Sequence, residues 1–196
     1  GSGLLDVGEG ALADEPSVVE ALADGADLAL FSGDKLLGGS QAGIVVGRAD
    51  LVARLRRHPM ARAVRVDKLQ IAALESVLAA ILAGRRDALP VWTMLREPLA
   101  AVRARAKAVA AAVGEGARVI ASVASVGGGS LPGSEIASAA VTIAAADAEA
   151  LAERLRTGRP AVLARIDGDA VILDARTVAD GDVETLARAV RRARDA

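Results

Sequence analysis

The sequence predicts an α/β protein of two parts, and three observations predict it. Short apolar runs bounded by glycine, DLALF at 27–31 and GIVVG at 43–47 among them, alternate with segments whose apolar residues recur at helical spacing. One helical segment, 67–83, is long and is followed by the solvated run Arg85-Arg86-Asp87, as at a domain edge. The 196 residues are 53% hydrophobic at a net charge of −1, material for one large or two small cores. Those cores must be aliphatic, because Phe31 and Trp92 are the only aromatic residues.

Composition also narrows the function. With no cysteine there are no disulfides and no thiolate metal ligands, and a single histidine, His58, argues against a histidine-based metal site. Any Ser-His-Asp triad would have to use His58. The near absence of aromatics argues against a base-stacking platform for nucleic acid. No apolar run reaches the roughly 20 residues that span a bilayer, and no charged-then-apolar leader opens the chain. A cytoplasmic location with no membrane partner is therefore expected.

Taken in order, Pro16 to Asp24 places Val18, Val19, Ala21 and Leu22 on a helical repeat closed by Gly25. Asp27 to Phe31 reads as a short buried strand, and Gly43 to Gly47 as a second. Ala49 to Arg57 is an arginine-rich helix ended by His58-Pro59, since the residue before proline is pushed out of the helical region. His58 is expected to cap carbonyls there. Asp67 to Ala83 carries Ile71, Leu74, Leu78 and Ile81 on one face, with Gly84 as the stop. It reads as the link between domains, with the boundary near residue 88: 1–87 and 88–196.

The second part reads as a helix from Leu95 to Val113, starting near Glu97 so that Pro98 falls in its first turn. Strands follow at 117–123, 139–144, 161–166 and 170–174, with Asp167-Gly168-Asp169 as a tight hairpin turn between the last two. Helices at 147–156 and 182–194 complete it.

The candidate chemistry centres on FSGDKLLGGSQAGIVVG, residues 31–47. The chain holds three lysines, Lys35, Lys68 and Lys107, against 21 arginines, so a lysine among glycines needs its own reason. An amine can form a Schiff base with an aldehyde and a guanidinium cannot. Ser32 offers a hydroxyl to an anionic oxygen, and Gly33, Gly38 and Gly39 would allow backbone to approach a ligand closely. A solvated turn lysine beside Asp34 is the competing reading. Arg62 and Arg65, three apart, would share a helical face and could clamp an oxyanion, although pairs at this spacing also arise by chance among 21 arginines. VGGGSLPG, at 126–133, lacks the G-K-[ST] ending of a nucleotide loop and reads as a loop between domains or lining a site.

The string FSGDKLLGG-x-QAGI-x-VG resembles the pyridoxal-phosphate lysine segment of the bacterial selenocysteine synthases, the L-seryl-tRNA(Sec) selenium transferase family. The resemblance continues through HPMARAVRVDKLQIAALE at 58–75 and VGGGSLPGSEIAS at 126–138, in the same order, and covers essentially the whole chain. Ser40 stands where that family usually has proline. The resemblance implies the C-terminal part of a fold-type I pyridoxal-phosphate enzyme: the end of the large cofactor domain with its linker helix, then a small α+β C-terminal domain. It implies pyridoxal 5'-phosphate carried by Lys35 with Ser32 nearby. It also implies selenophosphate taken by Arg62 and Arg65 of the H-P-x-x-R-x-x-R pattern. The activity implied is conversion of seryl-tRNA(Sec) to selenocysteinyl-tRNA(Sec) through a dehydroalanyl-tRNA, in a homo-oligomer that the family builds as a decamer assembled from dimers.

GSGLLDVG at the start resembles the turn after a strand whose aspartate pairs with the cofactor's ring nitrogen. That aspartate would precede Gly1, so residues 1–196 alone are expected to be inactive. The basic tail Arg188, Arg191, Arg192 and Arg194 could meet tRNA phosphates, yet its interspersed Ala and Val make a solvated helical face the expected reading. Two further readings stay open: a related pyridoxal-phosphate lyase acting on a free amino acid or amino sugar, and a non-catalytic fragment with a role in assembly.

Overall fold

In the computed structural model, which describes residues 17–126 and 135–195, the first helix begins where its capping residues dictate. Ser17 accepts the Glu20 N–H while the Glu20 carboxylate accepts the Ser17 N–H, a reciprocal cap for α1 (Val18–Ala23). These bonds hold the Glu20 carboxyl below its ordinary range. The readings placed on GSGLLDVG and on Gly127 to Gly133 concern residues outside the described set.

The described residues form two compact units, one of 17–95 with 125–126 and one of 96–124 with 135–195. The division falls after Leu95, not near residue 88. The reason is α5 (Pro90–Arg96), whose Trp92 is 1% exposed and clusters with Leu36, Ala80 and Leu89 of the first unit.

In the first unit β1 (Leu28–Ser32) and β2 (Gly43–Gly47) pair antiparallel, from Leu28 opposite Gly47 to Ser32 opposite Gly43. Only one face is covered. Ala29 and Phe31 are buried with Ile44 and Val46 against them, while Leu30 is 63% exposed. The expectation that 27–31 is buried throughout is thus corrected: in an antiparallel hairpin the pleat sends alternate residues to opposite faces.

Three helices follow. These are α2 (Ala49–Arg57), the one-turn α3 (Pro59–Ala63) and α4 (Lys68–Leu82). Asp67 caps α4 in a reciprocal pair with Gln70. The apolar face of α4 starts at Leu74, since Ile71 is 44% exposed. Leu74 joins Val18, Phe31, Leu37 and Ala42 in one cluster, and Ala80 joins Leu36, Leu89 and Trp92 in another.

The second unit lays α6 (Leu99–Val113), α7 (Ala148–Thr157) and α8 (Val183–Asp195) over a four-stranded sheet. Its strands are β3 (Ala117–Ser125), β4 (Glu135–Ala144), β5 (Arg165–Asp167) and β6 (Ala170–Asp174), in the order β3-β4-β6-β5. Val102, Val109, Val141, Ile143, Leu151 and Val190 fill the core. Asp167 faces Ala170 across a two-residue turn in which Gly168 has φ +56°, a conformation glycine adopts without strain.

Two element predictions change. The helix expected over 95–113 is two helices, because Pro98 excludes helical geometry at the residue before it and serves as N-cap of α6 with ψ 138°. The strand expected over 161–166 is reduced to 165–167, since the Val162 N–H donates to the Leu155 carbonyl at 2.8 Å at the end of α7 and is lost to the sheet.

Arginines lock this unit from inside. Arg105, 9% exposed, donates from Nε to Asp180 at 2.6 Å, and from Nη1 to Glu97 at 2.8 Å and the Ala175 carbonyl at 3.1 Å, with a second bond to Glu97 from its other Nη. The Glu97 bonds raise this guanidinium above its ordinary value, against the opposing cost of desolvation. Arg176, 5% exposed, donates to the carbonyls of Glu97 and Ala137 at 3.0 and 2.6 Å. The tail arginines act from the surface. Arg191 donates to the Ala112 carbonyl, Arg194 to that of Glu115 at 2.6 Å and Arg192 to that of Arg159 at 2.8 Å, so the exposed face expected here also caps carbonyls at helix ends.

Candidate active site

Lys35 stands in the turn that joins β1 to β2, and the residues after it fix where it stands. Leu36 and Leu37 are 2% and 0% exposed, each inserted into a different core cluster beside α4. With two consecutive side chains buried, the lysine just before them is turned outward. Its side chain is 36% exposed, and its Nζ lies 3.4 Å from Asp34, a long contact on the surface. The amine is thus held by backbone position and left open to a ligand. Asp34 is the partner that the competing reading named.

The loop closes tightly on itself. The Gly33 N–H donates to Ala42 O at 2.8 Å, Gly39 N–H to Gly33 O at 2.8 Å and Gly38 N–H to Lys35 O at 2.9 Å. A Cβ on Gly33 would lie 2.6 Å from Ser40 O and 2.9 Å from a Leu74 methyl, and one on Gly39 would lie 2.8 Å from the same methyl. These two glycines therefore admit the chain's own loop and α4. Gly38, with φ +77°, makes the turn. The expectation that they open the backbone to a ligand is replaced by this packing role. Gly33→Ala is expected to lower the stability of the intact protein by about 1–3 kcal/mol, because the nearest obstacle is a backbone oxygen that cannot rotate away. Denaturant unfolding reads this directly.

Ser32 ends β1, half-buried, three residues before the lysine. Ser40, where the resembling family usually has proline, donates its hydroxyl to the Gln70 carbonyl at 3.0 Å, and Gln70 Nε2 donates to Gln41 O at 3.2 Å. The loop is thereby tied to the first turn of α4. Sequence reasoning missed this pair, since the partners lie thirty residues apart.

Arg62 and Arg65 are not on one helical face. Arg62 belongs to α3, which ends at its C-cap Val64, and Arg65 follows in irregular backbone before α4. Both are exposed, and neither makes an ion pair or side-chain hydrogen bond among the described residues. His58 opens α3 with Pro59 in the first turn, and its Nδ1 accepts the Met60 N–H at 3.2 Å. It therefore caps both helices: its backbone N–H donates to the Leu55 carbonyl at 3.1 Å at the end of α2, as expected, and its side chain accepts an N–H of α3 because the proline begins a new helix at once.

Among the described residues no group of three or more His, Cys, Asp and Glu could hold a metal, and no helix is long and apolar enough to cross a membrane. A concavity of about 450 Å³ in the second unit, lined by Leu163, Leu173, Asp174, Val178, Thr185 and Leu186 among others, brings no lysine, arginine or histidine together.

A β-hairpin on a mixed α/β unit, followed along the chain by a helix-on-sheet unit, is a fold with a solved counterpart. The solved structure of D-glucosaminate-6-phosphate ammonia-lyase matches with TM-score 0.59 and 23% identity, over 88% of this chain and 45% of that one. At that identity the match shows the fold alone. The chain belongs to the L-seryl-tRNA selenium transferase family, whose model matches residues 1–179. The L-seryl-tRNA(Sec) selenium transferases of Hyphomonas neptunium and Moorella thermoacetica are each 42% identical over 98% of this chain. The chain spans 43% of the length of each.

Proposed function

We propose that this chain is the C-terminal part of a fold-type I pyridoxal-phosphate enzyme that converts seryl-tRNA(Sec) to selenocysteinyl-tRNA(Sec), with selenophosphate as donor. The observation that carries the reading is Lys35: an exposed amine on a turn pinned by buried Leu36 and Leu37, within a chain of this family. The residues fit pyridoxal 5'-phosphate, since an aldehyde needs a reachable amine at a fixed backbone position and finds one here. Lys35 would hold the cofactor covalently and Ser32 would donate a hydroxyl to one of its oxygens. Once bound, the cofactor supplies an electron sink for chemistry at the serine α- and β-carbons. The chain's own work is to orient: the tie from Ser40 to Gln70 and the two leucines keep Nζ in place. When freed, Nζ can take up and return a proton at the reacting amino acid. We place the enzyme in the cytoplasm as a homo-oligomer, a decamer built from dimers.

In this reading Arg62 and Arg65 bind selenophosphate. Guanidinium groups match phosphate oxygens with charge-assisted bonds, and here neither group is engaged elsewhere among the described residues. Losing one such bond costs about 1.5–3 kcal/mol, or roughly one to two powers of ten in affinity. In the intact protein, Arg62→Ala or Arg65→Ala is expected to raise KM for selenophosphate by that factor and leave seryl-tRNA(Sec) affinity nearly unchanged. Steady-state kinetics with each substrate varied in turn checks it. An unchanged KM for the donor together with weakened tRNA binding would contradict it.

A further inference from the structure

We propose that the surface running from α2 through α3 to the first residue of α4 is a binding track for an RNA phosphate backbone, with Arg54, Arg56, Arg57 and Lys68 as its own contacts. This rests on the tRNA reading above and adds to it a location on the chain. The first support is charge. Residues 48–68 carry seven cations and two carboxylates in a chain of net charge −1.

The second support is that these cations are not spent on the fold. Arg48 is engaged by Asp27 and Asp50, each at 2.9 Å. That contact occupies Asp50, and Asp67 is occupied as the cap of α4 at 2.9 Å from Gln70 N. Arg54, Arg56, Arg57, Arg62, Arg65 and Lys68 are all exposed, and none forms an ion pair or side-chain hydrogen bond among the described residues. The contrast with α8 is internal to the molecule, because there Arg191, Arg192 and Arg194 reach backbone carbonyls.

The helix dipole accounts for part of the set and not for the rest. Arg54, Arg56 and Arg57 fall in the last turn of α2, where cations are favoured. Lys68 is the first residue of α4, the positive end of a helix, where a cation is disfavoured. Arg54, Arg56 and Arg57, three like charges within four residues, also repel one another, so a polyanion gains by neutralising them. No aromatic residue lies in this stretch to stack on bases, so the contact is with phosphates and reads no sequence.

The test is binding of unacylated tRNA(Sec) by the intact protein over a range of salt concentrations, comparing wild type with Arg54→Gln/Arg56→Gln/Arg57→Gln. Each lost phosphate contact lowers the steepness of log affinity against log salt by about 0.7 to 0.9, so the triple variant is expected to lose about 2 to 3 from the slope. The matching triple lysine variant, which keeps charge without the fork, is expected to retain the wild-type slope. If the triple glutamine variant does not fold, Arg57→Gln alone is expected to lose about 0.7 to 0.9. A slope unchanged in the glutamine variants overturns the inference while leaving the tRNA reading intact. So does an unchanged slope with altered mass in light scattering, which makes the surface a contact between copies. Loss of binding to phosphatidylserine vesicles at an unchanged tRNA slope makes it a membrane contact and also overturns the inference. Wild type that binds no tRNA at any salt overturns both readings.

Discussion

Lys35→Ala in the intact protein is expected to lower conversion of seryl-tRNA(Sec) by roughly three powers of ten or more, as removal of a covalent catalytic group does. Lys35→Arg is expected to do the same, because it preserves charge and length but cannot condense with an aldehyde. Both variants should fold as wild type does, for the side chain is 36% exposed and its contact with Asp34 is long and on the surface. Conversion is read as incorporation of selenium into tRNA, and folding as the denaturant midpoint. A variant that keeps more than a tenth of wild-type turnover would contradict the assignment. It would point to Lys68 or Lys107, the other two lysines.

The second large effect concerns stability and lies in the other unit. Arg105→Ala is expected to cost about 3–5 kcal/mol, because Glu97 and Asp180 would lose the guanidinium that pairs them and Ala175 O would lose its donor. Arg105→Met fills the same space and abolishes the charge, and still leaves Glu97 without its partner. The raised pKa of Arg105 fixes the pH behaviour. A folded value above the unfolded one means the contribution is complete below the ordinary arginine range and is lost only as pH rises through the folded value. Titration of this cation therefore removes no stability as pH rises from neutrality toward the ordinary arginine range. Chemical unfolding of the intact protein, followed by a probe in the second unit, measures the loss. A change below about 1 kcal/mol, the worth of an ordinary surface pair, would show that Arg105 is not the lock described.

What the sequence revealed and what it hid divide along the distance between interacting residues. The turn at Gly168 and the position of Lys35 between two strands are set within a few residues, and local spacing predicts them. The division of the long helix at Pro98 was legible too, since the residue before a proline disfavours helical geometry, but placing the proline in a first turn hid the separate α5. The loss of 161–164 from the sheet could not be read, because it follows from one hydrogen bond to the end of α7.

The same limit applies to the site. Lys35 stood out as chemistry, whereas its anchoring by Ser40 and Gln70 depends on contacts across thirty residues. The glycines around it also answer to packing that spacing does not show, since a Cβ on Gly33 would meet Leu74 and the Ser40 carbonyl. Arg62 and Arg65 were paired on the assumption of a continuous helix. Spacing of three implies a shared face only while the helix lasts, and α3 ends at Ala63.

Lys35 is the residue proposed to carry the cofactor, and its labelling is decisive. The direct measurement is to purify the intact protein with pyridoxal 5'-phosphate, reduce it with borohydride, digest it, and locate the pyridoxyl mass by peptide sequencing. The expected result is a single modified lysine, Lys35, in the peptide containing FSGDKLLGG, and no label in Lys35→Ala. A label on Lys68 or Lys107, or equal labelling of wild type and Lys35→Ala, would contradict it.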